Sequence, residues 1–410
     1  MKSYKFLKIS ILLISLLFFV HLTNSILKYQ DNSNFKGDTL ESIRDLHNLK
    51  HSSYWTLPNI HIANWTATDL TYDWCDYKNG YFIIENLTIT GVDGKNGIHI
   101  ENTTENFIIR NCQVSEGISL LRISNGHFIN NTISFGQAYP TGTVIKIGIY
   151  MGHCFNSTIK NNFINGTTDW LSSAIMMYNC TNIIIDENTL SSNDYSGNIQ
   201  SQGLDIQGVS ENIRVINNTI FDNDNGIRIS QSYLCDITEN RISNSIYGIR
   251  GGGDNHTISN NTIKNSIECG IYSAGFNNSI FNNKLYDNKI GIEIKRASYN
   301  IVSNNSIQDN NDYGLYLEES NYNIISNNTI QKSQLYGIYL ESSNHSLLSG
   351  NLITFKIGCI KEINCYGNII RYNICQKIPS SIGGYYPWMV LGVLIITMSI
   401  ILKIKLKEYN

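Results

Sequence analysis

A four-residue pattern, Gly-Ile-x-Ile, returns along the chain at nearly constant spacing and limits the possible folds more than any other feature. It stands as Gly-Ile-His-Ile at Gly97, Gly-Ile-Ser-Leu at Gly117, Gly-Ile-Tyr-Met at Gly148, Ala-Ile-Met-Met at Ala174 and Gly-Leu-Asp-Ile at Gly203. It continues at Gly226, Gly248, Gly270, Gly291, Gly314 and Gly337, and from Gly203 onward the steps are 23, 22, 22, 21, 23 and 23 residues. A fixed period of this size belongs to solenoids, in which each repeat forms one turn of a column. Within a repeat, apolar and polar residues alternate over four or five positions, which is the period of a strand; the 3.6-residue period of helical repeats is absent. The expected fold is all-β: a parallel β-helix solenoid of about 12 coils, its aliphatic side chains stacked inward and its coils about 4.8 Å apart.

The same period carries a second element, aliphatic-x-x-Asn-x-aliphatic, centred on Asn131, Asn162, Asn188, Asn218, Asn240, Asn261, Asn283, Asn305, Asn328 and Asn351. This element accounts for much of the chain's high content of about 55 asparagines. Asn tolerates a left-handed corner, and its amide satisfies backbone groups that a corner buries. Stacked on its equivalents, it is expected to form a hydrogen-bonded ladder along the column. The preceding position varies (Asn130, Glu187, Glu239, Gly350) and is expected to face outward. Sequons at Asn130, Asn217, Asn260, Asn304 and Asn327 fall on it, so Asn-Asn-Thr or Asn-Asn-Ser serves either as turn chemistry or as a glycosylation site.

The stretches Tyr81-Phe-Ile-Ile-Glu-Asn-Leu-Thr-Ile-Thr90 and Gly97-Ile-His-Ile-Glu-Asn-Thr-Thr-Glu-Asn-Phe-Ile-Ile-Arg-Asn-Cys112 look like opening coils of a known group. The repeat over about residues 57–375 resembles the right-handed parallel β-helix (pectate-lyase-like) superfamily, closest to NosD-type or "carbohydrate-binding and sugar hydrolysis" repeats of archaeal surface proteins. The resemblance implies a right-handed coil and a carbohydrate context. It is specific for fold and weak for activity, because lyases, hydrolases, epimerases and plain binding columns share this architecture. The NosD name also brings copper into view. Only 6 methionines occur, and the 9 histidines form no recognisable ligand cluster in the sequence, so no metal and no cofactor is expected.

If the two aliphatic residues of Gly-Ile-x-Ile point inward, x points outward. Read coil by coil, x is Tyr150, Met176, Asp205, Arg228, Arg250, Tyr272 and Glu293, with Lys295 two residues further on the same side. Two arginines on adjacent rungs repel unless something anionic lies between them, and tyrosines beside charged groups suit sugar recognition. Three long corners, Ser134–Lys146, Asn165–Ser173 and Ser191–Gln202, border the same sheet and bring in Trp170 and Asp194. The expected carbohydrate-binding set is Tyr150, Trp170, Asp194, Asp205, Arg228, Arg250, Tyr272 and Glu293. The candidates for catalysis by a polysaccharide lyase or glycoside hydrolase are Asp205, Arg228, Arg250 and Lys295. A purely structural stalk or adhesin is the remaining reading.

The ends and the cysteines complete the reading. Lys2, Lys5 and Lys8 before the apolar run 9–20 suggest a secretory leader over 1–25, and 26–56 would cap the open column. The β-helix would then span 57–378 and a linker 379–384. Tyr385-Tyr386-Pro387-Trp388 ahead of an apolar run, with Lys403, Lys405 and Lys407 behind it, suggests a transmembrane helix over 385–402 and a cytoplasmic basic tail over 403–410. Single-pass membrane attachment with the β-helix outside the cytoplasm follows. A net charge of −3 without a basic block argues against nucleic acid as a partner. Cys154 and Cys180 each lie six residues after their coil's Gly or Ala, which makes them a disulfide candidate; a pair among Cys359, Cys365 and Cys375 would staple the last coil.

Overall fold

The computed structural model describes residues 55–91, 96–135, 146–166, 172–192 and 201–378. The repeat folds into a β-solenoid whose coils have three faces. In one coil these are Ile290–Lys295, Ile301–Ser303 and Ser306–Gln308, after which Tyr313–Glu318 begins the next. Coil-to-coil pairing is parallel and in register, as in Ile292↔Leu315, Val302↔Ile325 and Ile307↔Ile330. The second face forms a 14-stranded sheet. The first and third join into a 24-stranded sheet, because Thr219–Tyr233, Arg241–Asp254 and Thr262–Ser273 run unbroken round the corner between them. Residues such as Ile271, Ile280, Leu285, Ile292, Val302 and Ile307 fill the interior and are fully buried.

Each coil turns on residues with positive φ: Asn255, Asn260 and Asn265 at 60°, 56° and 56°, then Asn277, Asn282 and Asp287 at 56°, 57° and 57°. This separates two roles that the sequence reading placed on one residue. The outer member of each Asn-Asn pair takes the left-handed conformation, which Asn tolerates better than most side chains. The inner member forms the ladder. From Asn131 to Asn351, each backbone N–H donates to the next coil's Asn Oδ1 at 2.9–3.0 Å. Each Nδ2 donates to the same oxygen at 2.8–3.0 Å. Asn373 extends the series by one rung beyond those recognised in the sequence. A second series, buried from His256 through Asn278, Asn300, Asn323 and Ser346 and ending at the half-buried Asn368, runs along the corner before the second face.

The repeated glycine answers to close approach between coils. A Cβ at Gly248 would stand 2.4 Å from Ile263 Cγ2 and 2.6 Å from the Gly270 carbonyl oxygen, and Gly226 and Gly314 are crowded in the same way. The Gly270 oxygen belongs to backbone held in the sheet and has little room to move. Gly248→Ala is expected to lower stability by about 2 kcal/mol, as overpacking does, measured by denaturant unfolding; a neutral result would mean that the coils are further apart than this.

The first described coil carries a helix that packs against the column's interior. The cap assigned to 26–56 lies almost wholly outside the described residues. The first coil's helix, Trp65–Thr71, is capped by Asn64, whose Oδ1 accepts from the Ala67 N–H at 2.9 Å. Trp65 is buried and stacks on Phe82 and Phe107 at 5.4 and 4.7 Å, plugging the column's interior. Cys75–Lys78 then pairs antiparallel with Tyr81–Glu85 through an Asn79-Gly80 turn, which blunts that sheet's edge.

Two expectations are corrected. The expected C-terminal transmembrane helix is not found: no helix among the described residues is long and apolar enough to cross a membrane. The 7-residue helix Trp65–Thr71 rises only about 10 Å against a hydrocarbon core of about 30 Å. The segment 385–402, on which that expectation rested, lies outside the described residues, as does the leader. Cys154 and Cys180 are buried free thiols, not a disulfide. Each donates to backbone carbonyls instead, Cys154 to Leu120 and Gly152, Cys180 to Met151 and Tyr178. Cys359 and Cys375 do form a disulfide, with Cα atoms 5.7 Å apart, and tie the last described coil.

Candidate functional site

In-register parallel pairing turns the x positions into one straight line of side chains. Tyr150, Met176, Asp205, Arg228, Arg250, Tyr272, Glu293, Tyr316 and Tyr339 are partners on successive rungs. Of the expected binding set, Tyr150, Asp205, Arg228, Arg250, Tyr272 and Glu293 therefore share a single face. Trp170 and Asp194 lie outside the described residues, with most of the three long corners.

The arginines differ in what holds them. Asp205 is 2 % exposed and receives Arg228 through two hydrogen bonds, Nε to Oδ1 at 2.9 Å and Nη2 to Oδ2 at 3.0 Å. Gln207 Nε2 also donates to Oδ2. Burial raises the Asp205 carboxyl above its ordinary value, and the Arg228 guanidinium opposes that rise. Arg228 is thus neutralised from one side, which relieves the repulsion expected between stacked arginines. Arg250 has no carboxylate within ion-pair distance among the described residues. Its guanidinium lies over the ring of Tyr247, 5.1 Å from the centroid, and 5.9 Å from that of Tyr272. Tyr247 was missed in the sequence because it precedes the glycine of its motif and does not sit at x.

Beyond Tyr272 the line continues into Glu293, which is half-buried and likewise unpaired among the described residues. Burial raises its carboxyl above the usual range against the pull of Lys295, and Glu318 and Glu268 add to the rise. Lys295 is held by Glu318 at 2.6 Å, and this bond raises its pKa, the wrong direction for a general base. Four tyrosines, Tyr313, Tyr316, Tyr336 and Tyr339, extend the face; Tyr313 and Tyr339 are 4.9 Å apart, and Tyr316 Oη donates to Glu341 at 2.9 Å.

At the other end of the same line, strand Ile60–Ile62 pairs with Ile98–Thr103 so that His61 stands against His99. Glu101 lies two residues beyond His99 on the same side. The ligand atoms of these three side chains lie within 4.8 Å of one another. The histidines therefore do meet at one place, which the sequence reading did not expect. The available signal was the repeated tripeptide Ile60-His61-Ile62 and Ile98-His99-Ile100; it was hidden because the first copy lacks the glycine that marks the others.

Residues 31–203 and 195–298 match the family described as "Periplasmic copper-binding protein (NosD)", and residues 247–382 match the family described as "Right handed beta helix region". Among solved structures, one mutant of the periplasmic alginate epimerase AlgG is similar at 14 % identity with a TM-score of 0.54, covering 79 % of this chain and 84 % of that one. A second AlgG mutant is similar at 15 % identity with a TM-score of 0.51, covering 73 % and 80 %. These likenesses concern the fold. No curated protein matches in sequence. For the copper in the family's description, the donors present at His61, His99 and Glu101, two imidazoles and a carboxylate, suit Cu(II). They do not suit Cu(I), which prefers sulfur; Met151, Met177, Cys154 and Cys180 point into the core.

Proposed function

Because the chain belongs to the NosD family of right-handed β-helix proteins, we propose that its column lies outside the cytoplasm and binds a carbohydrate or surface polymer along the outward line of its first face. The family's description as periplasmic supports the compartment. The observation that carries the reading is Arg250 lying against the paired rings of Tyr247 and Tyr272, with Glu293 one rung beyond Tyr272, a cation and an anion unpaired among the described residues and set either side of the Tyr272 ring. Sugar rings take apolar contact from tyrosine faces and directional hydrogen bonds from such charges. The straight line of rungs, about 4.8 Å apart, suits an extended polymer better than a compact ligand.

Binding is favoured over chain cleavage by the state of the candidate catalysts. Asp205 lies buried beneath Arg228, and Lys295 is tied to Glu318. An array of glycans probed with the full chain, with Arg250→Ala and with Tyr272→Ala tests this. The expected result is saturable binding that each variant weakens by about tenfold or more, while Arg214→Ala, exposed on the second face, leaves it unchanged. Binding that survives both variants overturns the assignment to this line. New reducing ends or unsaturated products would instead favour a hydrolase or lyase, and the absence of any bound glycan would favour a structural column.

A further inference from the structure

We propose that His61, His99 and Glu101 form a binding site for a borderline divalent transition cation, Zn(II) or Cu(II), on the first coils of the column. The site is independent of the side chains around Arg250 and stands or falls separately. Strand pairing places His61 directly opposite His99, and the two rings lie 5.0 Å apart, tilted by 53°. Strand alternation puts Glu101 on the same side as His99. Glu101 Oε1 lies 3.3 Å from His61 Nε2 and 3.9 Å from His99 Nε2. Two donors bound to one ion at about 2.1 Å, separated by a tetrahedral angle, stand about 3.4 Å apart. Small side-chain adjustments therefore bring all three atoms onto one cation.

A hydrogen bond between one histidine and one glutamate explains a single imidazole near Glu101. It does not explain why a second aims its Nε2 at the same oxygen. The other oxygen is already engaged: Oε2 accepts from Asn102 Nδ2 at 3.1 Å and lies 3.9 Å from Arg122 Nη2. Arg122 Nε in turn donates to Asn102 Oδ1 at 2.6 Å. Asn102 and Arg122 are positioning residues that leave Oε1 turned toward both rings, the outer support that metal-binding side chains commonly have. Three protein donors on a partly exposed face leave the remaining coordination positions open to water or to an external ligand. Two imidazoles select zinc, copper or nickel over calcium and magnesium, which prefer all-oxygen shells.

The test uses untagged full chain stripped with a chelator, titrated with Zn²⁺ by calorimetry and with Co²⁺ by visible absorption. One equivalent is expected to bind, with Cu²⁺ competing and Ca²⁺ and Mg²⁺ not. Glu101→Gln and the double variant His61→Gln/His99→Gln are expected to weaken binding by about tenfold or more while the far-ultraviolet circular dichroism is retained. If the double variant does not fold, Glu101→Gln alone decides the question. The proposal is overturned if folded chain shows no saturable Zn²⁺ or Co²⁺ binding, if Ca²⁺ binds as tightly as Zn²⁺, or if Glu101→Gln binds as tightly as the parent.

Discussion

Asn261→Ala is expected to cost about 3–5 kcal/mol of stability, among the largest effects available to a single substitution outside the apolar core. The Asn261 side chain accepts from the Asn240 N–H at 2.9 Å and from Asn240 Nδ2 at 3.0 Å. It also donates to the Ile237 carbonyl at 2.8 Å and to Asn283 Oδ1 at 3.0 Å. Alanine would leave the Asn240 N–H and the Ile237 carbonyl without partners in a region closed to water, and both sit on backbone that cannot turn elsewhere. The neighbour is the control. Asn260 has φ of 56° and needs only a residue that accepts the left-handed region, so Asn260→Gly is expected to stay within about 1 kcal/mol of the parent. Urea unfolding of the pair checks this; equal losses at both positions would mean that the amide ladder contributes no more than the corner does.

Acid is expected to destabilise the column through His256. This residue occupies a place in the second corner series that asparagines fill in the following coils. Its Nδ1 accepts from the Cys235 N–H at 3.2 Å, its own N–H donates to Asn278 Oδ1 at 2.7 Å, and its buried Nε2 finds no hydrogen-bond partner among the described residues. Burial lowers its pKa to about 4, against a weaker opposing pull from Asp254. The unfolded chain takes up this proton as pH falls below about 6.5, and the folded chain only near 4. The contribution of His256 is therefore complete above pH 6.5 and is lost progressively between 6.5 and 4, by about 3 kcal/mol in all. His256→Asn restores the ladder pattern and is expected to remove that slope. Unfolding free energies of both proteins at pH 7 and 4.5 decide the matter. An unchanged slope in the variant would assign the acid sensitivity to other groups.

The line from Tyr150 to Glu293 was legible because strand alternation and a near-constant period together fix which side chain lies over which. The partners of those side chains were not. Asp205 and Arg228 were visible as neighbours, but the burial of Asp205 under its partner depends on packing that no spacing rule carries. Tyr247 was missed because the corner before Gly248 returns a ring to the face from outside the motif. The ladder member of each Asn-Asn pair was legible from its constancy beside a neighbour that varies, but only backbone geometry shows that the left-handed bend sits on Asn260 and not on Asn261. The plug at the first coil was not foreseen: a helix stands where that coil would otherwise carry a strand, and Trp65 packs into the column from there. Cys154 and Cys180 were correctly placed on adjacent rungs, yet each thiol faces backbone carbonyls of its own coil and of the one before.

Hydroxyl-radical footprinting with a bound oligosaccharide tests the central claim most directly, since it reads side chains without altering them. Tyr247 and Tyr272 come from consecutive coils and both touch Arg250; Tyr299 and Tyr322 stack on a different corner, 56 % and 48 % exposed, and serve as internal controls. The account predicts that oxidation of Tyr247 and Tyr272 falls together on binding while Tyr299 and Tyr322 stay fully reactive. Protection of the corner tyrosines with the first-face pair left open would contradict it.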